Sequence, residues 1–338
     1  MNILVTGGMG FIGSHTVVEL HNSGYTPIIV DNLSNSDKTV LNGLEKITGQ
    51  LFKFYEVDCN DNRAMESVFK ENPIDGAIHF AASKAVGESV EKPLFYYQNN
   101  VGSLLVLMEL MEKYHAPRLI FSSSCTVYGE PDFLPVTELS EKKPAESPYG
   151  NTKQICEEII EDATRASKRI RAIALRYFNP IGAHPSSLIG ELPLGVPSNL
   201  VPFITQSAIG LRGPLAIHGS DYNTPDGTCI RDYIHVVDLA KAHVASLQYL
   251  SGNAQCDFDI FNIGTGQGNS VLEVVETFKK VNECSLNYAI GPRRPGDVEK
   301  VFGDVAKSRR LLGWQTELSL EDSLRDAWNW QLSLSRKS

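Results

Sequence analysis

The chain of 338 residues has no run of about 18 consecutive apolar residues, so we expect no membrane-spanning helix. Its first residues lack a basic stretch followed by an apolar segment, so we expect no signal peptide and a cytoplasmic protein. None of the six cysteines forms a C-x-x-C pair, which argues against a zinc ribbon and a thioredoxin-like site. Scattered single thiols fit a reducing compartment better than a disulfide framework does.

Basic residues are fewer than acidic residues. The chain has 31 lysines and arginines against 40 acidic residues, a net charge of -9. Nucleic-acid binding needs a basic face, so we expect no nucleic-acid partner, although a small anionic ligand needs only a few local donors. No H-x-x-x-H pattern or carboxylate cluster indicates a metal site. What is present is an ordinary globular composition, 42% hydrophobic and 21% charged, in a chain long enough for about two domains.

The first part of the chain alternates apolar runs with helical stretches. Strands are predicted at residues 2–6, 27–31, 53–58, 76–82, 119–124 and 171–178, and helices at 11–23, 61–71, 99–114 and 148–167. The apolar runs are mostly continuous, which is typical of strands buried on both faces of a parallel sheet. The alternation predicts an α/β fold with a Rossmann-type, doubly wound parallel sheet.

The sequence pattern changes after Asn179. Residues 180–232 hold many prolines and glycines and few long periodic runs. We therefore expect a second, smaller, mixed α/β domain and divide the chain into residues 1–180 and 181–338. The boundary is approximate, and the chain is free to recross it.

A glycine-rich loop follows the first predicted strand. Gly7, Gly10 and Gly13 allow, in turn, a tight turn, close approach of the backbone to a pyrophosphate, and close helix packing. The next helix presents free N–H groups and a positive dipole end to the anion. Asp31 ends the second strand, where a carboxylate can accept hydrogen bonds from a ribose 2′-hydroxyl and repel a 2′-phosphate. The cofactor expected here is therefore NAD rather than NADP.

Tyr149 and Lys153 have the i, i+4 spacing that places two side chains on one face of a helix, and Pro148 is suited to open that helix. Ser124 ends a predicted strand, and the carboxyl ends of parallel strands border the ligand crevice. Lowering a tyrosine pKa from about 10 to about 7 takes about 4 kcal/mol. A lysine cation about 5 Å away contributes about 3 kcal/mol at an effective dielectric constant of about 20, and a nicotinamide cation could supply the rest. We therefore expect Tyr149 to be the base, with Ser124 holding the substrate oxygen.

These features resemble the extended short-chain dehydrogenase/reductase superfamily. Further segments narrow the resemblance to the UDP-glucose (UDP-galactose) 4-epimerase family along nearly the whole chain. They are HFA (79–81), KAVGES (84–89), FSSSCTVYG (121–129), YGNTK (149–153), LRYFNP (175–180), GAHPS (182–186), RDYIHVVDL (231–239) and RRPGD (293–297). The resemblance implies an isomerase that keeps NAD bound and inverts the sugar at C4 through a 4-keto intermediate. It also assigns residues 1–180 to NAD and 181–338 to the nucleotide sugar.

The resemblance implies two sets of binding residues. NAD would contact Gly7, Gly10, Phe11, Ile12, Gly13, Asp31, Asn32, Leu33, Ser34, Asn35, Ser36, Asp58, Cys59, Phe80, Ala81, Lys84, Asn99, Ser124, Tyr149, Lys153 and Phe178. The UDP-sugar would contact Lys84, Ser124, Tyr149, Asn179, Asn199, Leu200, Ala216, Ile217, His218, Arg231, Arg294, Asp297 and Val301. Arginines suit diphosphate oxygens because their donors form a fixed fork. Asp297 would bond the uridine ribose.

Two positions depart from the family pattern. His218 stands where an aromatic Phe is typical, at the uracil. Val301 stands in the hexose pocket, where a bulky Tyr restricts the family to plain hexoses and a smaller residue admits a 2-acetamido group. Valine is small, so we expect turnover of UDP-GalNAc and UDP-GlcNAc as well as UDP-galactose and UDP-glucose.

Three rival functions differ in the residues that they require. A nucleotide-sugar 4,6-dehydratase needs an acid and a base after the position of Ser124, where Cys125 and Thr126 stand instead. A nucleotide-sugar 4-reductase, which would need external NAD(P)H, stays open. A non-catalytic NAD sensor has no need for an intact Tyr149, Lys153 and Ser124.

The resemblance also implies a homodimer built by helices 99–114 and 148–167. The apolar residues Ile155, Ile159, Ile160 and Ala163 suit either that interface or the core.

Overall fold

The computed structural model describes residues 1–253, 255–294 and 297–336. Its centre is a seven-stranded sheet in which every pairing is parallel, in the order β11-β6-β5-β4-β1-β2-β3. The strands of this sheet are β1 (Asn2–Thr6), β2 (Thr26–Asp31), β3 (Lys53–Glu56), β4 (Gly76–His79), β5 (Arg118–Ser122), β6 (Arg171–Tyr177) and β11 (Phe258–Ile263).

The sheet forms because its central strands are apolar on both faces. All four residues of β4 and the last four of β1 and β5 are buried. One face packs into a core with Val17, Leu20 and Leu239, and the other into a core with Met65, Leu104 and Ile160. Burial on both faces is typical of parallel sheets covered by helices on each side, and the predicted Rossmann-type fold is confirmed.

Helices cover both faces of the sheet. They are α1 (Phe11–Asn22), α2 (Val40–Thr48), α3 (Asn62–Glu71), α4 (Val86–Glu91), α5 (Pro93–Lys113), α6 (Pro148–Ser167), α8 (Val236–Gly252) and α10 (Ala306–Leu312). The bounds of α6 match the prediction. α5 begins six residues before its predicted start, because Pro93 occupies its first turn, where a missing N–H costs nothing. α2 and α4 were not predicted; α4 is only one to two turns long.

The second region carries smaller sheets and three helices. The remaining strands are β7 (Asn179–Ile181), β8 (Leu215–His218), β9 (Ile230–Arg231), β10 (Tyr233–His235), β12 (Asn269–Ser270), β13 (Tyr288–Gly291) and β14 (Lys300–Val301). The remaining helices are α7 (Leu200–Ala208), α9 (Val271–Val281) and α11 (Leu320–Ser335). They share a core that includes Ile204, Ile217, Phe278 and Leu324.

The chain crosses between the two regions more than once. β11 lies about 80 residues beyond position 180 in sequence, yet it pairs with β6 at the edge of the central sheet. α8, which precedes it, contributes Leu239 and Leu247 to the core that contains Val17 of α1. The central sheet is therefore assembled from both sides of the predicted boundary.

Among the described residues, no helix is both long enough and apolar enough to cross a membrane.

Candidate active site

The glycine loop has the shape that a pyrophosphate requires. Gly7 adopts a positive φ of 68°. A Cβ on Gly13 would lie 2.2 Å from the Gly7 carbonyl oxygen, so the first turn of α1 can approach the loop only because residue 13 is glycine. Gly10 is the N-cap of α1 and offers no side-chain cap, which leaves the N–H groups at Phe11 and Ile12 available to an anion.

Asp31 lies at the end of β2, facing the same loop. Its carboxylate accepts hydrogen bonds from the Met9 backbone N–H at 3.0 Å, the Leu33 backbone N–H at 2.9 Å and the Ser36 hydroxyl at 2.8 Å. Although the residue is only 8% exposed, its charge is thus stabilised by three donors. The carboxylate is held in place before any ribose binds.

The other residues predicted on the adenosine side lie around Asp31. Asn32 donates to Asp58 at 3.1 Å and accepts from the Ser34 N–H at 3.0 Å. Asn35 is exposed. Cys59 is buried, and burial raises its thiol pKa to about 12, so it stays neutral. These contacts build a polar rim at the carboxyl ends of β2 and β3, where a doubly wound sheet binds its ligand.

Ser124, Tyr149 and Lys153 are brought together by two elements. Ser124 follows β5, and the other two residues lie in α6, which starts with Pro148 and is capped by the Ser147 hydroxyl accepting from the Gly150 N–H. Ser124 lies near enough to Tyr149 to favour its phenolate. The Lys153 ammonium donates to the Ser122 carbonyl oxygen at 2.7 Å and lies 5.9 Å from the Tyr149 ring centre. All three predicted catalytic residues are buried and adjacent.

The pKa of Tyr149 differs from the expectation drawn from the sequence. The pKa of Tyr149 is raised rather than lowered, because burial disfavours the phenolate and the neighbouring Tyr177 adds to the effect, while the nearby Ser124 side chain opposes it. Burial also lowers the pKa of Lys153 to about 8. The expectation counted the attraction of the lysine and nicotinamide cations and left out the cost of removing the two side chains from water.

A buried ion pair behind the catalytic residues was missed. Glu157 binds Arg176 of β6 through two hydrogen bonds of 2.9 and 2.6 Å, and its carboxylate also accepts from the Ser123 hydroxyl at 2.7 Å. The carboxylate thus ties α6 to β5 beside Ser124. No local spacing could have found this pair, because Arg176 lies on a different element from Glu157.

Three further predicted residues, Phe80, Ala81 and Phe178, follow strands of the central sheet, and Asn99 lies on α5. Phe80 packs on His243 with ring centres 4.7 Å apart, and Ala81 lies against Gly7. Asn99 donates to the Ser83 hydroxyl at 3.2 Å. Phe178 is buried against Gly264 and Gly303, where a Cβ on either glycine would lie less than 3 Å from its ring.

The predicted uridine contacts from β8 divide between its two faces. Ala216 and His218 are exposed, whereas Ile217 is 1% exposed and belongs to the core of the second region. The alternation of side chains along a strand is the reason. Ile217 can therefore offer a base only its backbone, and its contact with the uracil stays a prediction.

Two arginines converge on one carboxylate. Asp297 lies 2.8 Å from Arg294 Nη2 and 3.9 Å from Arg231 Nη2. Arg231 also donates to the Ile230 carbonyl oxygen at 2.9 Å. Asp297 was expected to bond the ribose; its carboxylate orients the two guanidinium groups, which leaves their remaining donors for an anion. Asn179 begins β7, and its backbone N–H donates to the Asp232 carbonyl oxygen beside Arg231.

Asn199 and Leu200 begin α7, and Lys84 reaches towards them from the loop after β4. The side chains of Lys84 and Asn199 both bond Glu191, a residue that the sequence did not single out.

Val301 lies against the catalytic end of the sheet. It is 7% exposed and shares a small apolar cluster with Cys125 and Phe178. Cys125 immediately follows Ser124, and Val301 is in register with Arg231 across β9 and β14, so this cluster borders both the catalytic residues and Arg231. Burial raises the pKa of the Cys125 thiol to about 12, which makes the thiol a packing group rather than a nucleophile.

The short helix after Ser124, residues Cys125–Tyr128, carries no acidic side chain. No group of three or more potential metal ligands occurs among the residues that the structure describes. The site therefore offers redox chemistry at a hydroxyl but no side chain at these positions for eliminating water.

Known proteins match this chain along nearly its full length. A family model described as GDP-mannose 4,6 dehydratase matches residues 4–327. UDP-glucose 4-epimerase of Bacillus subtilis (strain 168) is 50% identical over 333 residues, covering 98% of this chain and 97% of that protein.

Two solved structures cover all of both chains. UDP-glucose 4-epimerase from Bifidobacterium longum, in complex with NAD+ and UDP, matches with a TM-score of 0.96 at 46% identity. UDP-glucose 4-epimerase from Stenotrophomonas maltophila, with bound NAD and formylated UDP-arabinopyranose, matches with a TM-score of 0.97 at 44% identity. With identities this high along nearly the full length, on top of the glycine loop and the Ser-Tyr-Lys site, the chain belongs to the UDP-glucose 4-epimerase family of NAD-dependent isomerases.

Proposed function

We propose that this enzyme interconverts UDP-galactose and UDP-glucose through a 4-keto intermediate, with Ser124, Tyr149 and Lys153 as its catalytic residues. The observation that carries the proposal is the junction of β5 and α6, where the Lys153 ammonium is fixed by the Ser122 carbonyl oxygen and lies 5.9 Å from the centre of the Tyr149 ring. Ser124 holds the sugar 4-hydroxyl. Tyr149 takes its proton and later returns a proton to the same oxygen, so that inversion at C4 is left to the hydride.

The described residues fit NAD. The cradle formed by Gly7 and Gly13 leaves no room for a Cβ, and the buried Asp31 carboxylate is oriented before binding. When bound, NAD supplies a reversible hydride acceptor for C4 and a positive nicotinamide ring. That positive charge offsets the burial that raises the pKa of Tyr149, since a cation nearby favours the phenolate. Lys153 contributes a second cation at the same place.

The two ends of the substrate site differ in how strongly they can bind the ligand. Arg231 and Arg294, oriented by Asp297, offer strong charged donors for a diphosphate. The wall made by Cys125, Phe178 and Val301 is apolar and offers the hexose few hydrogen bonds. Strong anchoring beside a weakly bonding wall lets the 4-keto sugar turn about its diphosphate and present its other face.

Val301 also supports a wider substrate range. Its side chain is smaller than that of tyrosine, and it lies in the apolar cluster with Phe178 and Cys125. We therefore include UDP-GalNAc and UDP-GlcNAc among the substrates.

The test is to incubate the purified enzyme with UDP-galactose and, separately, UDP-GalNAc, adding no NAD, and to resolve the products by chromatography. We expect UDP-glucose and UDP-GlcNAc. Conversion of the first substrate alone rejects the wider range. If turnover needs added NAD(P)H and gives reduced products, the enzyme is a 4-reductase and the epimerase assignment is rejected. Tight NAD without turnover of any nucleotide sugar indicates a sensor.

We also propose that residues 1–180 bind NAD and residues 181–338 bind the nucleotide sugar, although α8 and β11 of the second part pack with the central sheet.

The proposed homodimer uses α5 and α6. α5 exposes Leu94, Phe95 and Leu105 at 76%, 49% and 44%, whereas Ile160 of α6 is fully buried and serves the core. Sedimentation of the enzyme tests this state. A cytoplasmic location accords with the six cysteines, all of which are free.

A further inference from the structure

One carboxylate joins two parts of the proposed ligand site. Glu191 Oε1 accepts a hydrogen bond from Lys84 Nζ at 3.3 Å and another from Asn199 Nδ2 at 2.6 Å. Lys84 lies in the loop after β4 of the central sheet, whereas Asn199 immediately precedes α7 in the second region. Both donors belong to the proposed binding residues, and Glu191 itself has no assigned role.

The fold holds Glu191 independently of Lys84. Its backbone carbonyl oxygen accepts from Trp330 Nε1 of α11 at 2.9 Å. At the preceding Gly190, a Cβ would lie 2.5 Å from the Trp330 ring, so the backbone here is pressed against α11. The Glu191 side chain is 10% exposed, while that of Lys84 is 51% exposed. The carboxylate is thus the fixed partner and the ammonium the movable one.

The Asn199 side chain does not make the hydrogen bond that is usual for an N-cap asparagine. Asparagine is a preferred N-cap residue because its side chain accepts from an N–H in the first helical turn. Asn199 is the N-cap of α7, yet its side chain makes no such bond and donates to Glu191. The first-turn N–H groups of α7 are therefore left without this cap, beside a donor and a cation that share one carboxylate.

We propose that Glu191 is a positioning residue that tunes affinity for the nucleoside diphosphate. It keeps Asn199 and Lys84 at the ligand site and competes with the diphosphate oxygens for the Lys84 ammonium. The inference rests on the proposed function, because it takes both donors to be ligand contacts. A half-exposed ion pair is weak, so the diphosphate displaces it, and the carboxylate then favours product release.

Glu191→Gln separates charge from shape. Glutamine keeps an oxygen that accepts from Asn199 but removes the negative charge. On the NAD-loaded enzyme, titration calorimetry with UDP should give a dissociation constant about two- to fivefold lower than that of the parent enzyme. The gain should fade in about 1 M salt, where charges are screened within about 3 Å. The KM for UDP-galactose should fall while kcat does not rise.

Two controls isolate the effect. Glu66→Gln removes a carboxylate that binds two lysines, Lys70 and Lys113, on α3 and α5, and it should leave UDP affinity unchanged. In a Lys84→Met background, the gain from Glu191→Gln should shrink, because the ammonium that both anions compete for is gone. Failure of the parent enzyme to bind UDP overturns the proposed function. If the parent binds UDP and Glu191→Gln binds it equally or more weakly, the inference alone is overturned.

Discussion

The Lys153 ammonium lies 5.9 Å from the centre of the Tyr149 ring, one helical turn along α6, and is fixed by its bond of 2.7 Å to the Ser122 carbonyl oxygen. The same ammonium lies 4.8 Å from the Phe121 ring centre. β5 therefore supplies both the acceptor and the aromatic face that hold the lysine, while α6 sets its spacing from the tyrosine. The pair can act only where these two elements meet.

Removing the Tyr149 hydroxyl should slow catalysis strongly and leave the cofactor in place. Tyr149→Phe keeps the ring but loses the proton acceptor, so epimerisation of UDP-galactose should slow about 10²- to 10⁴-fold. NAD released on denaturation should stay equimolar with protein. Tyr55→Phe, on β3, is the matched control and should leave the rate unchanged. A Tyr149→Phe variant with parental turnover would show that another group is the base.

Lys153 should make stability depend on pH. Burial lowers its pKa from 10.5 to about 8. Between these values the unfolded chain holds a proton that the folded chain lacks, so the free energy of unfolding rises with pH there. Lys153→Met removes the ionisable group. Near pH 7 it should be more stable than the parent by up to about 3 kcal/mol, and the advantage should shrink as the pH rises from about 8 to about 10.5. Denaturant unfolding at several pH values measures this difference; a constant difference contradicts it.

Gly13→Ala should abolish NAD retention. The new Cβ would lie 2.2 Å from the Gly7 carbonyl oxygen, so the loop or α1 must shift. We expect a loss of about 1–3 kcal/mol in stability together with loss of the bound cofactor. Gly252→Ala in α8 is the control, because a Cβ there meets no atom within 4 Å. Quantifying nucleotide in the purified proteins distinguishes the two, and retention of NAD by Gly13→Ala would contradict the cradle.

Glu157→Gln should destabilise the enzyme by about 3–5 kcal/mol, because it leaves the buried Arg176 charge without a partner. Glu158→Gln, the next residue on α6, is exposed and serves as the control. Adding Arg176→Met to Glu157→Gln should recover much of the loss, since an apolar replacement removes the uncompensated charge. Equal unfolding midpoints for the two glutamine variants would show that the ion pair contributes nothing.

Val301→Tyr should narrow the hexose pocket. The added ring would enter the cluster with Cys125 and Phe178, and a 2-acetamido group should lose its space before a plain hexose does. The ratio of UDP-GalNAc to UDP-galactose turnover should fall at least about tenfold, a discrimination typical of one lost cavity. Val301→Ile is the conservative control and should preserve most of the ratio. An unchanged ratio in the tyrosine variant would remove Val301 from substrate selection.

Local patterns in the sequence determined the parallel sheet, the glycine loop, the bounds of α6 and the shared face of Tyr149 and Lys153, because each depends on spacing within one element. Only the tertiary structure decided which distant segments meet. It recruits β11 to the sheet edge, joins Glu157 to Arg176, and brings Lys84 and Asn199 to Glu191. It also turns Ile217 inward and raises the pKa of Tyr149. Burial and long-range pairing depend on the packing of elements far apart in the chain, which no local spacing encodes.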